Sequence, residues 1–336
     1  MTSPVYYKYN FGMNKRMSFF IILISFVCIS CASVRKASMN SISDMLAGAD
    51  KKGYPLQRGE HTDAPMLAVT GESDTVLIGD FIPVALKLYE MLHAENPAHT
   101  GLSVMCGQLN VIYANAFIQI PADSLGDVQY DKKNSEYKRA RLHYLRGRDY
   151  ILDVFEKKYP GFRQAVLGND AALLKTAVSY LKQEDVTAAY WCSAGALGAF
   201  SLDPLDPDLL GSIRGPVAVL ERAAALAPDY SNGVIWDMLS AFYAGAPVEF
   251  GGNSDRALFC HEQAMRVSRG KTAGPYITYA ESFCIPRNDE KGFETALNKA
   301  LAINPDDNPS LRLSTIIFQN KARRLLAAKD DYFVHW

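Results

Sequence analysis

The sequence has few of the patterns that catalysis or nucleic-acid binding requires. Its 336 residues carry 35 basic and 36 acidic side chains. No basic excess is therefore available to neutralise phosphates, which argues against nucleic acid as a partner. The six histidines form no H-x-x-x-H or H-E-x-x-H pair, and neither a G-x-S-x-G elbow nor a glycine-rich phosphate loop is present. We therefore expect no enzymatic activity, no metal and no cofactor.

Cysteine is also scarce, with six in the whole chain. Four of them lie in apolar stretches and lack the spacing of metal ligands: Cys106, Cys192, Cys260 and Cys284. Buried free thiols are the favoured interpretation. A disulfide remains the alternative, and its pairing cannot be read from the sequence.

Long apolar runs are scarce too, and only the N-terminus carries a notable one. The run from Met17 to Ile29 has 13 residues, whereas a membrane-spanning helix needs roughly 20. Lys15 and Arg16 precede it and Ile29-Ser30-Cys31 ends it, as in a secretory signal that finishes in a lipobox. Cys28 stands where such a box usually has leucine. After this run, no apolar segment is expected to approach spanning length.

This arrangement predicts a lipoprotein signal peptide over residues 1–30, with Cys31 acylated as the first mature residue. A redox role for the C-x-x-C pair is disfavoured because that chemistry needs a folded βαβ context. Cleavage removes three positive charges and no negative one, which takes the net charge from −1 to −4. We expect a periplasmic protein that is lipid-anchored to a bacterial membrane.

The rest of the chain shows helices that stop at proline. Amphipathic segments end near Pro97, Pro160, Pro228 and Pro305, which lie 63, 68 and 77 residues apart. Half of each distance is close to the ~34-residue period of tetratricopeptide hairpins. We therefore predict an all-α fold, a degenerate tetratricopeptide-like helical-hairpin array, with at least 60% helix by circular dichroism.

Three segments follow from this division of the chain. The signal peptide covers residues 1–30, and residues 31–60 form a polar tether with a first helix near 42–49. The tetratricopeptide-like α-helical domain spans residues 61–336. Within it, residues 121–134 and 247–255 are predicted to be irregular insertions.

Eight sequence blocks in order carry a resemblance to a known family: SISDMLAGAD, IPVALKLYEMLHAENPAHTGL, IYANAFIQIPAD, YLRGRDYIL, VTAAYWCSAGALGA, FGGNSDRA, AGPYITYAESFCIPRND and KALAINPDDNP. Together they resemble the T component of tetratricopeptide-associated TRAP transporters. The resemblance implies an exported, non-enzymatic lipoprotein that forms a homotrimer with a central pore. It also implies that the chain binds and scaffolds the extracytoplasmic substrate-binding P component. The alternative is a general protein-interaction scaffold of the cell envelope.

Two arginines interrupt the apolar face of the predicted helix 137–155. At 100° per residue, Arg141 and Arg148 fall among Tyr144, Ile151 and Phe155. A buried guanidinium needs a carboxylate, so an internal salt bridge to Asp153, Glu281 or Asp203 is one interpretation. Recognition of a carboxylate-bearing ligand is the other. In either case Arg148 is expected to point inward and to be held by an acidic partner.

Two further helices contain candidate ligand or pore residues. Gln108, Asn115 and Gln119 form a polar stripe on the otherwise apolar helix 101–120. The stripe faces either a lumen or loop backbone that its amides bond. Tyr190 and Trp191 begin a helix of small residues, where they serve either close helix packing or a pocket for a hydrophobic ligand.

Overall fold

A computed structural model describes residues 64–333. Of these residues 82% are helical and none lies in a β-strand. The all-α class and the expected helix content are therefore confirmed, whereas the tetratricopeptide geometry of the helix pairs stays a prediction. The signal peptide, Cys31, and the tether with its helix near 42–49 lie outside the described residues.

The α-helices follow one another through short turns. Their bounds are α1 Ala64–Thr70, α2 Thr75–Glu95, α3 Thr100–Ile112, α4 Ile120–Asp123, α5 Tyr130–Lys158, α6 Phe162–Leu167, α7 Ala171–Ser179, α8 Val186–Leu202, α9 Pro207–Ser212, α10 Arg214–Leu226, α11 Val234–Gly245, α12 Ser254–Ser268, α13 Gly274–Tyr279, α14 Glu290–Leu301 and α15 Arg312–Ala327. Two π-helical segments, Tyr113–Gln119 and Ala280–Cys284, continue α3 and α13.

Helix boundaries follow local chemistry at both ends. The Asp74 side chain accepts hydrogen bonds from the first amides of α2, and Asp170 does the same for α7. Helices α2, α5 and α10 end two residues before Pro97, Pro160 and Pro228, since proline disfavours helical geometry in the residue before it. The predicted stops at these prolines are confirmed.

Other predicted boundaries were wrong. Residues 121–134 are not an irregular insertion, because α4 extends to Asp123 and α5 already begins at Tyr130. The short helices α6, α7 and α9 were not anticipated. The expectation that no later apolar segment approaches spanning length was wrong, because the helical stretch Thr100–Asp123 has 24 residues and is long and apolar enough to cross a membrane. Since 67% of its most apolar part is buried inside the described domain, it packs as a core helix.

Glycines bring the central helices into close contact. A Cβ on Gly107 of α3 would lie 2.8 Å from the carbonyl oxygen of Gly147 on α5. A Cβ on Gly195 of α8 would lie 2.7 Å from the carbonyl oxygen of Tyr144. A Cβ on Gly198 would overlap with the ring of the same tyrosine. The small residues of α8 thus pack helices closely, and this packing fixes the position of Tyr144.

The described part of the chain has a main hydrophobic core and a C-terminal one. The main core runs from α3 to α12, and the C-terminal core joins α13, α14 and α15. Tyr279 packs against both. The four cysteines among the described residues are buried free thiols, which confirms the favoured interpretation. Burial raises the pKa of Cys106 and Cys192 to about 12, so neither is a nucleophile at neutral pH.

Candidate functional site

A buried tyrosine organises the amides of the predicted polar stripe. The Asn115 side chain donates a hydrogen bond to the Tyr144 hydroxyl at 3.0 Å. That hydroxyl in turn donates to Oε1 of Gln119 at 2.6 Å. Burial raises the pKa of Tyr144 well above its ordinary value, which keeps the phenol protonated and able to donate. Two of the three amides of the stripe, Asn115 and Gln119, therefore bond a side chain and not the loop backbone.

Both amides lie on the π-helical segment that follows α3. Within Tyr113–Gln119 the backbone pairs residues five apart, and the Ile120 amide donates to the Asn115 carbonyl. This wider turn accommodates one extra residue. Asn115 and Gln119 are four residues apart, and they face the same side chain of α5, as helical periodicity predicts.

Aromatic rings lie beside this network on α8. The Tyr190 ring makes an edge contact with Trp191 at 4.9 Å and lies 5.8 Å from Tyr230. Burial raises the pKa of Tyr190, and Tyr230, Asp237 and Tyr144 add to this shift. These groups therefore lie close enough to interact electrostatically. Tyr190 thus lies in the neighbourhood of both Tyr144 and Asp237, a carboxylate on α11.

That carboxylate, Asp237, is incompletely bonded. Thr278 of α13 forms a hydrogen bond with it, but its buried Oδ1 has no partner among the described residues. Burial raises the pKa of Asp237 to about 6, against the opposing effects of Thr278 and Lys321. A buried acceptor without a donor is costly, which makes this atom a candidate contact for a ligand or water.

An ion pair borders the same region. Nζ of Lys321 on α15 lies 2.8 Å from Oε2 of Glu281. Burial opposes the charge on Lys321, but Glu281 outweighs burial and the pKa of Lys321 is raised. Asp123 interacts with the same lysine and accepts a hydrogen bond from the Tyr137 hydroxyl at 2.8 Å. Burial raises the pKa of Asp123 despite these partners.

These side chains form what we call the interior polar cluster: Asn115, Gln119, Tyr144, Tyr190, Asp237, Glu281 and Lys321. Asp123 lies at its exposed edge. Lys321 is surrounded by the protein, yet 19% of its side chain is accessible. Tyr190 and Asp237 are likewise half-buried. Their accessible atoms can contact a small molecule or water. The cluster offers hydrogen-bond donors, acceptors and both signs of charge, which suits binding.

Metal ligands and histidines are the side chains that could add further chemistry to the interior polar cluster. Among residues 64–333, no three His, Cys, Asp or Glu side chains converge in a way that could hold a metal ion. Burial lowers the pKa of His143 to about 4 and also lowers those of His93 and His261, so these rings are neutral near pH 7. The arrangement can bind and orient a small molecule.

Comparison with known proteins decides the family. A family model described as the TRAP transporter T-component matches residues 71–333. The chain belongs to the TRAP transporter T-component family. It is also 40% identical over 314 residues to an uncharacterized protein of Treponema pallidum (strain Nichols), a match that covers 91% of this chain and 95% of that protein.

Membership gives this T component a role in a TRAP transporter and an association with that transporter. The family is a transport-associated, non-catalytic kind of protein and a membrane-associated transporter component. The resemblance noted from the eight sequence blocks is thereby confirmed.

The structure of this T component brings only some of the predicted site residues together. Asn115, Gln119 and Tyr190 come together in the interior polar cluster. Trp191 contacts the Tyr190 ring and packs against the main core. Gln108 is half-buried on α3. The two arginines lie elsewhere.

Each arginine is held by carboxylates of its own surroundings. Arg141 bonds Asp206 and lies 3.8 Å from Asp203, at the end of α8. Arg148, whose side chain is 14% exposed, pairs with the adjacent Asp149 at 2.9 Å. Its partner is thus none of the three carboxylates expected from the sequence. Of those, Asp153 pairs with Arg163, and Glu281 pairs with Lys321.

Sequence reasoning missed Asp237, Lys321 and the central hydroxyl of Tyr144. It named Glu281 as a salt-bridge carboxylate but gave it an arginine as partner in place of Lys321. A signal for Asp237 was present, since it is the only charged residue in the apolar helix VIWDMLSAFYAG. A lone carboxylate on such a helix must find a donor or face water. Its partners Thr278 and Lys321 lie on α13 and α15. Helical periodicity relates only residues within one helix, so it could not identify these partners.

A second concavity lies at the loop ends of the C-terminal helices. This cleft of about 610 Å³ is lined by the turns after α10, α12 and α14. Asn232 and Arg269 adopt left-handed backbone conformations there, with φ of 58° and 54°. The buried hydroxyl of Thr272 has no partner among the described residues. The lining is polar and carries both acidic and basic side chains, without aromatic groups.

Proposed function

We propose that this chain is the lipid-anchored T component that binds and scaffolds the extracytoplasmic substrate-binding P component of a TRAP transporter. The family match over residues 71–333 is the observation that carries the proposal. The apolar run before Cys31 supports an anchor on the periplasmic side of a bacterial membrane. As in the family it resembles, the chain assembles as a homotrimer of tetratricopeptide-like arrays around a central pore.

The interior polar cluster gives the proposal a place for a ligand. Tyr190 and Trp191 offer aromatic surface, while Asp237 and Lys321 offer polar contacts in the same cluster. Arg141 and Arg148 already bond carboxylates of the protein. These two arginines are therefore not available to bind the carboxylate of a ligand. We favour a small hydrophobic ligand with a polar end. In this proposal the ligand passes between the P component and the T component by way of this cluster.

Capture of the full chain from its own envelope tests the scaffold role. Proteins and small molecules that remain bound are identified by mass spectrometry. We expect a TRAP substrate-binding protein and a small molecule. Capture of envelope proteins unrelated to transport, without a substrate-binding protein, would favour the general scaffold instead.

A matched pair of variants separates ligand retention from partner binding. Tyr190→Leu alters the interior polar cluster, whereas Tyr180→Leu changes a tyrosine that is 53% exposed on the surface. We expect Tyr190→Leu to lose the small molecule and keep the P component, while Tyr180→Leu keeps both. Retention of the same small molecule by both variants would place its site elsewhere.

Membrane fractionation tests the anchor. Cys31→Ala removes the thiol that the lipobox would acylate, so the protein should leave the membrane fraction or remain unprocessed. Cys28→Leu, which supplies the residue that a lipobox usually has at this position, should leave processing and membrane attachment intact. Normal processing and membrane attachment of Cys31→Ala would contradict the lipoprotein assignment.

A further inference from the structure

Helix α2 exposes an unusual amount of apolar surface. Five large side chains on one face are between 45 and 67% exposed, and we call them the apolar stripe: Leu77, Phe81, Val84, Leu88 and Met91. The opposite face of α2 is buried against the domain through Ile78, Ile82 and Leu86. The helix therefore has two apolar faces, and within residues 64–333 the protein covers only one of them.

The spacing within the stripe is that of a helix–helix seam. Successive members lie four, three, four and three residues apart. This mean of 3.5 residues is the repeat at which one helix packs along another with its side chains interlocked. A partner that presents an irregular surface would not require this repeat. A partner that presents a helix would require it.

The size of the stripe fits a protein interface. With the neighbouring Val76, which is 71% exposed, it leaves on the order of 600 Å² of apolar surface in water. This is at the upper end of the largest patch on a typical monomer. A stable protein interface covers roughly 800 Å² on each partner. The stripe supplies most of that area.

The charges beside the stripe and its repeat favour a second copy of this chain over a lipid surface. A helix that lies on a membrane usually carries several Lys or Arg residues on its polar face. Lys87 is the only one on α2, and its ammonium already pairs with Glu90 of the same helix at 2.6 Å. Glu72 and Asp74 precede α2 and Asp80 lies in its first half, which adds negative charge. A second copy presents a helix with the same 3.5-residue repeat to the stripe and needs no basic surface.

We propose that the apolar stripe of α2 is the surface through which copies of this chain associate, helix against helix. The inference deepens the proposed function because it assigns a contact surface to the expected homo-oligomer. It does not depend on which ligand or which substrate-binding protein the chain takes.

Photo-crosslinking of the full chain in its own envelope tests this surface. Benzoylphenylalanine replaces Leu88 in the test protein and Leu173 on α7 in the control, since both leucines are 50% exposed. Two differently tagged copies are co-expressed. We expect position 88 to join the two tags through peptides of α2, and position 173 not to do so. Adducts from position 88 only to another protein, to lipid or to residues of the same copy would overturn the proposal.

A mass measurement provides an independent test. The full chain is purified in mild detergent, and light scattering gives the mass of its protein part. We expect the wild type and Leu173→Glu to contain two or more chains, and Leu88→Glu to contain one with unchanged helix content. A monomeric wild type, or a Leu88→Glu variant with the wild-type mass, would contradict the proposal. Capture of a P component by such a monomer would leave the proposed function intact.

Discussion

Two regions of this protein reverse the usual distribution of side chains. The interior polar cluster places carboxylates, a lysine and amides deep among the helices, whereas helix α2 exposes large apolar side chains to water. Either arrangement costs stability in an isolated chain. Most other helices follow the ordinary rule, with an apolar face inward. The two exceptions thus indicate where the chain contacts something else, inside for a small molecule and outside for a protein surface.

The largest expected effect comes from breaking the interior ion pair. Lys321→Met leaves Glu281 without its partner, and we expect the free energy of unfolding to fall by about 3 kcal/mol. The partial exposure of Glu281 keeps the effect at the low end for a buried pair. Urea denaturation measures it. Adding Glu281→Gln should recover most of the loss, and Lys299→Met on the exposed face of α14 should change little.

Neutralising Asp237, whose Oδ1 has no hydrogen-bond partner among the described residues, should stabilise the protein. The pKa of Asp237 is about 6 in the folded state, above its ordinary value of 3.8, so ionisation is penalised above pH 6. Asp237→Asn should raise the free energy of unfolding by about 2 kcal/mol at pH 7.5. As pH falls from 6 toward 4, the folded wild type binds the proton and the advantage should disappear. Denaturation curves at several pH values measure this. A gain that does not vary with pH would contradict the assigned cause.

Removing the central hydroxyl should cost less. Tyr144→Phe keeps the ring but leaves Asn115 and Gln119 without their shared partner, which should lower the free energy of unfolding by about 1 kcal/mol. Tyr130→Phe, an exposed position on the same helix, is the control. Thermal denaturation compares the two. Equal stability of both variants would show that water replaces the lost hydroxyl without cost.

The smallest effect is expected on the apolar stripe. Leu88→Gln removes an apolar side chain that the domain does not use, so the stability of the separated chain should change by no more than about 0.5 kcal/mol. Denaturation under dilute conditions, where copies are apart, measures it. A loss of 2 kcal/mol would show that the stripe supports its own domain and would remove the contrast with the interior.

Local features of the fold could be predicted from sequence, and distant ones could not. Proline stops act within a few residues, so the ends of α2, α5 and α10 were recognisable. Periodicity also placed Asn115 and Gln119 on one face. The contact between Lys321 and Glu281 joins residues 40 positions apart on different helices, and no local pattern encodes it.

The arginines show a second limit. Projection on a helix placed Arg148 among apolar residues, but its long side chain reaches Asp149, a neighbour that the projection puts on a different face. A projection gives the direction of Cβ and not the position of the guanidinium. The same flexibility lets Arg141 reach Asp203 and Asp206 at the end of α8.

The π-helical segment Tyr113–Gln119 constrains how chains of this family can vary in length. Each residue of an α-helix turns its successor by about 100°. The π-helical turn takes up one extra residue, so deleting one residue here, such as Ala116, would return the backbone to ordinary α-helical pairing and leave Gln119 and Asp123 in their present orientation. The same deletion within α3 would rotate everything after it by that angle. A one-residue gap in the π-helical segment is therefore compatible with a shared interior, whereas a gap within α3 is not.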